Sequence, residues 1–242
     1  MKTIVLAAGM GSRLQKILNG NPKPLFNLDN KSLIEHSLEA LAANGIDDVC
    51  IAIGFEGEKI KDKIGSRYKK MKIDYCHNEQ YAHTGSMHSL YKALKTPQDC
   101  IVLDGDIVYH PKAIAELLKA NGRSSVILTN CCESVDEVYV TLNNGRVDYL
   151  GKSVPDKKER FEFTGISRFS ANFVSQMFAL HEKNLSNGKH GEYYEDCAYE
   201  TSKIIPWNGI VIPNLAWSEI DKEDDVQRAL NALKDIRRHQ KV

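Results

Sequence analysis

No charge of one sign dominates this chain: its 242 residues carry 32 Lys and Arg against 32 Asp and Glu. A formally neutral protein has no broad basic field for a phosphodiester backbone, which argues against DNA or RNA as a partner. Long apolar runs are missing at the N-terminus as well. The stretch "TIVLAA" is stopped by the glycines of "GMG" and is too short for a signal-peptide core or a bilayer span, so the expectation is a cytoplasmic protein with no membrane contact. No CxxC pair occurs among Cys50, Cys76, Cys100, Cys131, Cys132 and Cys197, and no spacing gathers four zinc ligands. Cys50 and Cys100 sit inside apolar runs and read as small packing residues. Low-complexity linkers and internal repeats are absent too.

What is present alternates. "TIVLAA" has the continuous apolar pattern of a parallel strand buried on both faces. In "KSLIEHSLEALAANGIDDVCIAIGF", Ser32 and Glu35 make a capping-box pattern, Ile34, Leu38 and Leu41 share one helical face, and Gly45 ends the helix. "DDVCIAIGF", "KIDYCHN" and "CIVLDGDIVY" read as further strands, with "TGSMHSLYKAL" a helix between the last two. That order predicts a wound βαβ series. From Ser125 the pattern changes to "SVILTNC", "VYVTLNNGRVDYLGK" and "FEFTGISRFS", strands with a hairpin signal at Asn143-Asn144-Gly145. Helices are expected at "SANFVSQMFALHEKNL" and near the C-terminus, so the later part reads as an elaboration of the same sheet.

The turn after the first strand, "LAAGMGSRL", falls at the carboxyl edge of the sheet, where open α/β sheets bind ligands. Gly9 and Gly11 let backbone N–H groups approach an anion, although a lone Gly-x-Gly also serves as a plain tight turn. No Gly-Lys-Ser/Thr follows, and the third glycine of the dinucleotide fingerprint is missing. Arg13, and Lys23 held between Pro22 and Pro24, suit a phosphate chain. In "IVLDGDIVY", Asp104 and Asp106 lie two apart on a strand and so project together; they would repel unless a cation or water relieved them, solvation at the strand's end being the alternative.

"LAAGMGSRL" followed by "PKPL" resembles the signature of the nucleotidyltransferases that activate sugar phosphates and small phosphorylated alcohols. The resemblance extends over essentially the whole chain. It implies an α/β fold, a single-domain Rossmann-like mixed sheet of GT-A-like architecture over 1–242, with nucleotide binding in 1–124 and an acceptor-binding elaboration in 125–242. Leu6, Ala7, Ala8, Gly9, Gly11, Ser12, Arg13 and Lys23 would then grip the triphosphate of an NTP, together with Asp104. Asp106 would bind Mg²⁺, a cation that takes carboxylate oxygens while keeping waters and phosphate oxygens. Its partner by resemblance is Asp221 in "WSEIDKEDDVQRAL", where a helix N-cap is the competing role.

In the same family the segment after the third strand reads the base. Asn78, Gly85, Ser86 and Ser89 in "HNEQYAHTGSMHSLYKAL" resemble the cytidylyltransferase branch, which uses CTP and acceptors such as phosphocholine and 2-aminoethylphosphonate. His83 and His88 lack a third ligand nearby for a metal. "KHGEYYEDCAYE" is dense in tyrosines and acids; Tyr193, Tyr194 or Tyr199 with Glu195 or Asp196 would shelter a cationic amine, and a polar helix start is the alternative. Trp207 and Trp217 are further aromatic candidates. Lys152 falls where the family places a lysine on the acceptor's phosphate, a plain loop lysine being the alternative, and joins Arg13 and Lys23 as the catalytic cations. A sugar-1-phosphate nucleotidyltransferase and a non-catalytic nucleotide-binding module remain as other readings, and a homodimer is left open.

Overall fold

The apolar run after Met1 becomes the centre of a ten-stranded sheet in a computed structural model that describes residues 1–120, 122–130, 138–153 and 159–239. In chain order the strands are β1 (Lys2–Ala7), β2 (Asn27–Leu28), β3 (Lys31–Ser32), β4 (Asp48–Ile53), β5 (Arg67–Tyr68), β6 (Met71–His77) and β7 (Cys100–Asp104). They continue as β8 (Ile107–Tyr109), β9 (Ser125–Asn130), β10 (Tyr139–Asn143), β11 (Arg146–Gly151), β12 (Phe161–Phe169), β13 (Asn208–Val211) and β14 (Trp217–Glu219). The helices are α1 (Gln15–Leu18), α2 (Leu33–Ala42), α3 (Gly57–Ile64), α4 (Ser86–Leu94), α5 (Lys112–Lys119), α6 (Ala171–Ser186), α7 (Tyr194–Ser202) and α8 (Glu223–His239).

The main sheet runs β10-β11-β13-β9-β12-β7-β1-β4-β6-β5. Strand β1 lies parallel between β4 and β7, and β6 follows β4 in the same direction. Because side chains alternate along a strand, each of these strands feeds two cores. Ile4, Cys50 and Val102 pack with Met87, Leu90 and Phe173 on one side; Val5, Ile51 and Leu103 pack with Ile34, Leu38 and Ile114 on the other. The capping box at the start of α2 is present, with Ser32 N–H and hydroxyl both donating to Glu35, at 2.8 and 2.6 Å. The wound βαβ half is thus as the sequence predicts.

The later half is mostly antiparallel, with β13 alone running parallel to β9. β12 runs against both β7 and β9, and β10 pairs with β12 as well as β11, so five strands curl round to close on themselves. The predicted hairpin forms with Asn144 and Gly145 both at positive φ, 50° and 75°, as a two-residue primed turn requires. Trp207 is fully buried, and the Trp217 indole donates to the Thr164 carbonyl at 2.9 Å, so both rings belong to the core rather than to a ligand pocket. Cys50, Cys100 and Cys197 are buried free thiols, with burial pushing Cys50 up to about 11; Cys131 and Cys132 lie outside the described residues. Among the described residues no helix is long and apolar enough to cross a membrane.

One strand differs from expectation. "CIVLDGDIVY" breaks at Gly105–Asp106: β7 stays in the main sheet, while β8 leaves it to pair with β14. Gly105 passes so close to the end of β1 that a Cβ there would stand 2.5 Å from the Leu6 carbonyl oxygen. Asp104 and Asp106 therefore reach the same space from two sides of a turn, not from one strand face.

Candidate nucleotide and metal site

Turns at the carboxyl ends of β1 and β7, the start of α4, and the 191–195 segment surround a cleft of about 550 Å³. Gly11 adopts φ +57°, a left-handed turn that suits glycine, and lies against the Lys23 side chain. Leu6, Ala7, Ala8, Gly9, Gly11, Ser12 and Arg13 all line the cleft, as does Lys23 on the short 3-10 turn Lys23–Leu25.

Lys23 is the hub of this end. Only 7% exposed, it donates from Nζ to Asp106 Oδ2 and to Asp221 Oδ1, each at 2.6 Å. Burial by itself disfavours the ammonium, but Asp106, Asp221 and Glu219 outweigh it and raise the Lys23 pKa above the ordinary lysine value. Arg13, with a side chain 60% exposed, donates to the other Asp221 oxygen at 2.8 Å. Burial would push Asp221 up, yet Lys23 and Arg13 together hold its carboxyl below the usual carboxylate range.

Asp106, Glu219 and Asp221 each bring a carboxylate oxygen within 4.8 Å of the others. Three hard oxygen donors at one point fit a small divalent cation such as Mg²⁺ better than a thiolate- or imidazole-seeking metal. Glu219 is absent from the sequence reading. It sits two residues before Asp221 on β14, beside β8, and that two-residue spacing was the available signal. The cap question at Asp221 is also answered by geometry: its carboxylate accepts from Arg13 and Lys23, while Asp225, in the first turn of α8, accepts the N–H of Asp221 and Lys222 at 2.8 and 2.9 Å.

On the facing wall, Gly85, Ser86 and Ser89 line the cleft at the start of α4, and Gly191, Tyr193 and Glu195 line it from the later half. The two segments are laced together. Gly85 N–H donates to the His190 carbonyl at 3.0 Å, and Tyr194 N–H donates to Ser86 Oγ at 2.9 Å. Asp104 reaches the same wall beneath the bulge at Gly165, where φ is +73° and a Cβ would stand 2.3 Å from its carboxylate. Burial, with Glu195, Asp106 and Glu219 nearby, pushes the Asp104 carboxyl well above its usual range. Burial likewise carries Glu195 up to about 8, with Asp196 and Asp106 adding to it against its own backbone N–H.

Five sequence candidates, Asn78, Tyr194, Asp196, Lys152 and Tyr199, stand outside the lining. Asn78 is buried behind the cleft, donating to Thr84 and Ser89 and accepting from Gln80 N–H, so it braces the segment rather than lining it. Tyr194 is a correction: as the first residue of α7 it turns inward and is fully buried against Phe163 and Phe169. Asp196, one residue past Glu195 on α7, points to solvent and does not line the cleft. Lys152 is exposed just past β11 and is also outside the lining. Tyr199 packs edge-on to Tyr149 under the Lys203 ammonium. His88 is a core residue paired with His181, while His83 lines the cleft.

Comparison with known proteins agrees with this geometry. A MobA-like NTP transferase domain profile matches residues 3–161. The chain is 28% identical to the CMP-5'-(3-aminopropyl)phosphonate synthase of Streptomyces rubellomurinus, over 95% of this chain and 38% of that protein. It is 25% identical to the CTP:phosphoglutamine cytidylyltransferase of Campylobacter jejuni, over 94% of this chain and 98% of that protein. The inositol-1-phosphate CTP transferase of T. maritima has the same fold, with a TM-score of 0.78 at 18% identity, covering 98% of this chain and 96% of that one. The chain belongs to the MobA-like NTP transferase family of nucleotidyltransferases.

Proposed function

We propose that the protein transfers the cytidylyl group of CTP to a small phosphorylated or phosphonate acceptor that carries a positive charge, with release of pyrophosphate. The observation that carries the reading is the Lys23 hub, two cations and three carboxylates gathered at the glycine loop, facing a wall of Tyr193, Asp104 and Glu195.

Asp106, Glu219 and Asp221 would hold Mg²⁺, which when bound neutralises phosphate charge on the nucleotide and on the departing pyrophosphate. Gly9 and Gly11 offer backbone N–H groups to the triphosphate, and Arg13 and Lys23 hold its charge as it shifts. An oxygen of the acceptor forms a new bond to the α-phosphorus in line with the bond to pyrophosphate, which breaks. A phosphate acceptor yields a CDP-linked product and a phosphonate a CMP-linked one. No general base is needed, because a phosphomonoester with its second pKa near ~6 is already largely ionised at neutral pH. Catalysis rests on placement and charge.

At the acceptor end, Tyr193 offers a ring face and Glu195 an acid, joined by Asp104, which the sequence assigns to the nucleotide and which lies on the same wall; the combination suits an ammonium and offers little to a neutral sugar. This replaces Tyr194 and Asp196, which face elsewhere. Lys152 stays in the proposal as a contact to the acceptor's phosphate. Pyrophosphate release, measured with each of four NTPs against phosphocholine, 2-aminoethylphosphonate and sugar 1-phosphates, is the test. CTP with an amine-bearing acceptor supports the reading; another NTP with a sugar phosphate replaces it, and no turnover with any pair leaves a nucleotide-binding module.

A further inference from the structure

Beneath the wall that carries Tyr193 and Glu195 runs a buried polar chain that the proposed chemistry does not use. His181, fully buried on α6, meets His88 of α4 through Nε2 and Nδ1 at 3.1 Å. Its own Nδ1 meets a Glu192 carboxylate oxygen at 3.2 Å, and the Asn184 amide donates to the other oxygen. With Glu192 ionised, His181 donates from Nδ1, so the acid fixes the tautomer and tilt of the ring and leaves Nε2 to pair with His88.

The backbone of Glu192 is tied as firmly. Its carbonyl accepts the Met87 N–H at 3.2 Å, and Gly85 packs so closely that a Cβ would stand 2.0 Å from that oxygen. Its chain neighbours, Gly191 and Tyr193, both line the cleft. Apolar side chains would fill this space without desolvating a carboxylate and two imidazoles. What a hydrogen-bonded polar chain adds is direction, because hydrogen bonds fix angles that apolar contacts leave free.

We propose that Glu192 is a positioning residue for the acceptor. Anchored from below by His181 and Asn184, and by its carbonyl to the start of α4, it sets Tyr193 and Glu195 at a fixed distance from Gly85, Ser86 and Ser89 on the nucleotide wall. The inference rests on the assignment of Tyr193 and Glu195 to the acceptor. It requires that loosening the anchor harms the acceptor and spares the nucleotide.

Full-length Glu192→Ala, Glu192→Gln and His181→Phe are compared with the unmodified protein, using CTP with phosphocholine and with 2-aminoethylphosphonate. Glu192→Ala and His181→Phe raise the acceptor KM about tenfold or more and move the KM for CTP less than about twofold, since small misplacements far from the chemistry are costly. Glu192→Gln keeps one acceptor oxygen and falls between; it also carries the comparison if Glu192→Ala does not fold. Equal changes in both KM values, or a lower Tm with unchanged kinetics, overturn the proposal. A second readout needs no acceptor: in ligand-free protein, backbone hydrogen exchange over 189–195 quickens in the variants, while CTP affinity by calorimetry is retained. Should the unmodified protein turn over neither acceptor, the acceptor assignment fails by itself, and unchanged exchange over 189–195 is then the result that overturns the anchor.

Discussion

At one end of the cleft Lys23 and Arg13 are held by Asp106 and Asp221 through contacts of 2.6 to 2.8 Å, whereas at the other Asp104 and Glu195 share a wall with raised pKa values. Both ends gather carboxylates. At the first, the protein supplies the opposing charge itself, with Lys23 bridging Asp106 and Asp221 before any ligand arrives. At the second, burial and mutual repulsion favour the protonated acids until a cation enters. The difference teaches that the glycine-loop end is a finished electrostatic unit and the Glu195 end half of one; under the proposed function, that is how an amine would be told from a neutral group.

The strongest way to break the comparison is at Asp106. Asp106→Asn is expected to lower kcat by about a hundredfold or more, the scale of losing an electrostatic contact to the reacting phosphates, with thermal melting nearly unchanged. Near-normal turnover at saturating Mg²⁺ would remove Asp106 from the metal site. Lys23→Ala should be next: it strands Asp106 and Asp221 beside each other, and a loss of about 1–3 kcal/mol of stability is expected, together with a lower kcat/KM for CTP. Denaturant melts and steady-state kinetics on the same preparation check both halves.

Arg13→Ala separates function from stability. Its side chain is largely exposed, so folding stability should stay within about 0.5 kcal/mol, while kcat/KM for CTP falls about tenfold, the worth of one charge-assisted hydrogen bond. Unchanged kinetics would mean that the loop does not hold the triphosphate. At the other end, Glu195→Gln should cut the preference for an amine-bearing acceptor over a neutral one by about tenfold, whereas Asp196→Asn, facing solvent, should shift it by less than about twofold. Equal effects from the two would refute the placement of the cation.

The two ends also predict pH effects of opposite sign on stability. Asp221, whose pKa is lowered on folding, contributes stability that is present above the usual carboxylate range and is lost as pH falls through its folded value. Glu195 is raised to about 8, so the folded state holds its proton more tightly and stability declines as pH climbs from the usual carboxylate range through about 8. Melting curves across pH should show Asp221→Asn flattening the acid limb and Glu195→Gln the neutral one. This is the smallest of the effects, and a single limb altered by both variants would contradict it.

The sequence by itself determined the wound half of the fold and the grouping of the glycine loop with Arg13 and Lys23 along one cleft. Short buried strands are written as continuous apolar runs, Ser32 and Glu35 mark a helix start within three residues, and Gly9, Gly11, Arg13 and Lys23 lie on one local segment. Signals of that kind survive in a linear reading because the interacting groups are near neighbours. Only the tertiary structure decided the rest. Glu219 joined Asp106 and Asp221 because β14 pairs with β8, across more than a hundred residues of chain. The two aspartates part at Gly105 because β8 leaves the main sheet to pair with β14, at a point where only a glycine fits against the Leu6 carbonyl. Among Tyr193, Tyr194, Glu195 and Asp196, the start of α7 chose which side chains face the cleft, and helical rotation sends consecutive residues in different directions. Composition can bring tyrosines and acids to a neighbourhood, but packing alone decides which of them a ligand meets.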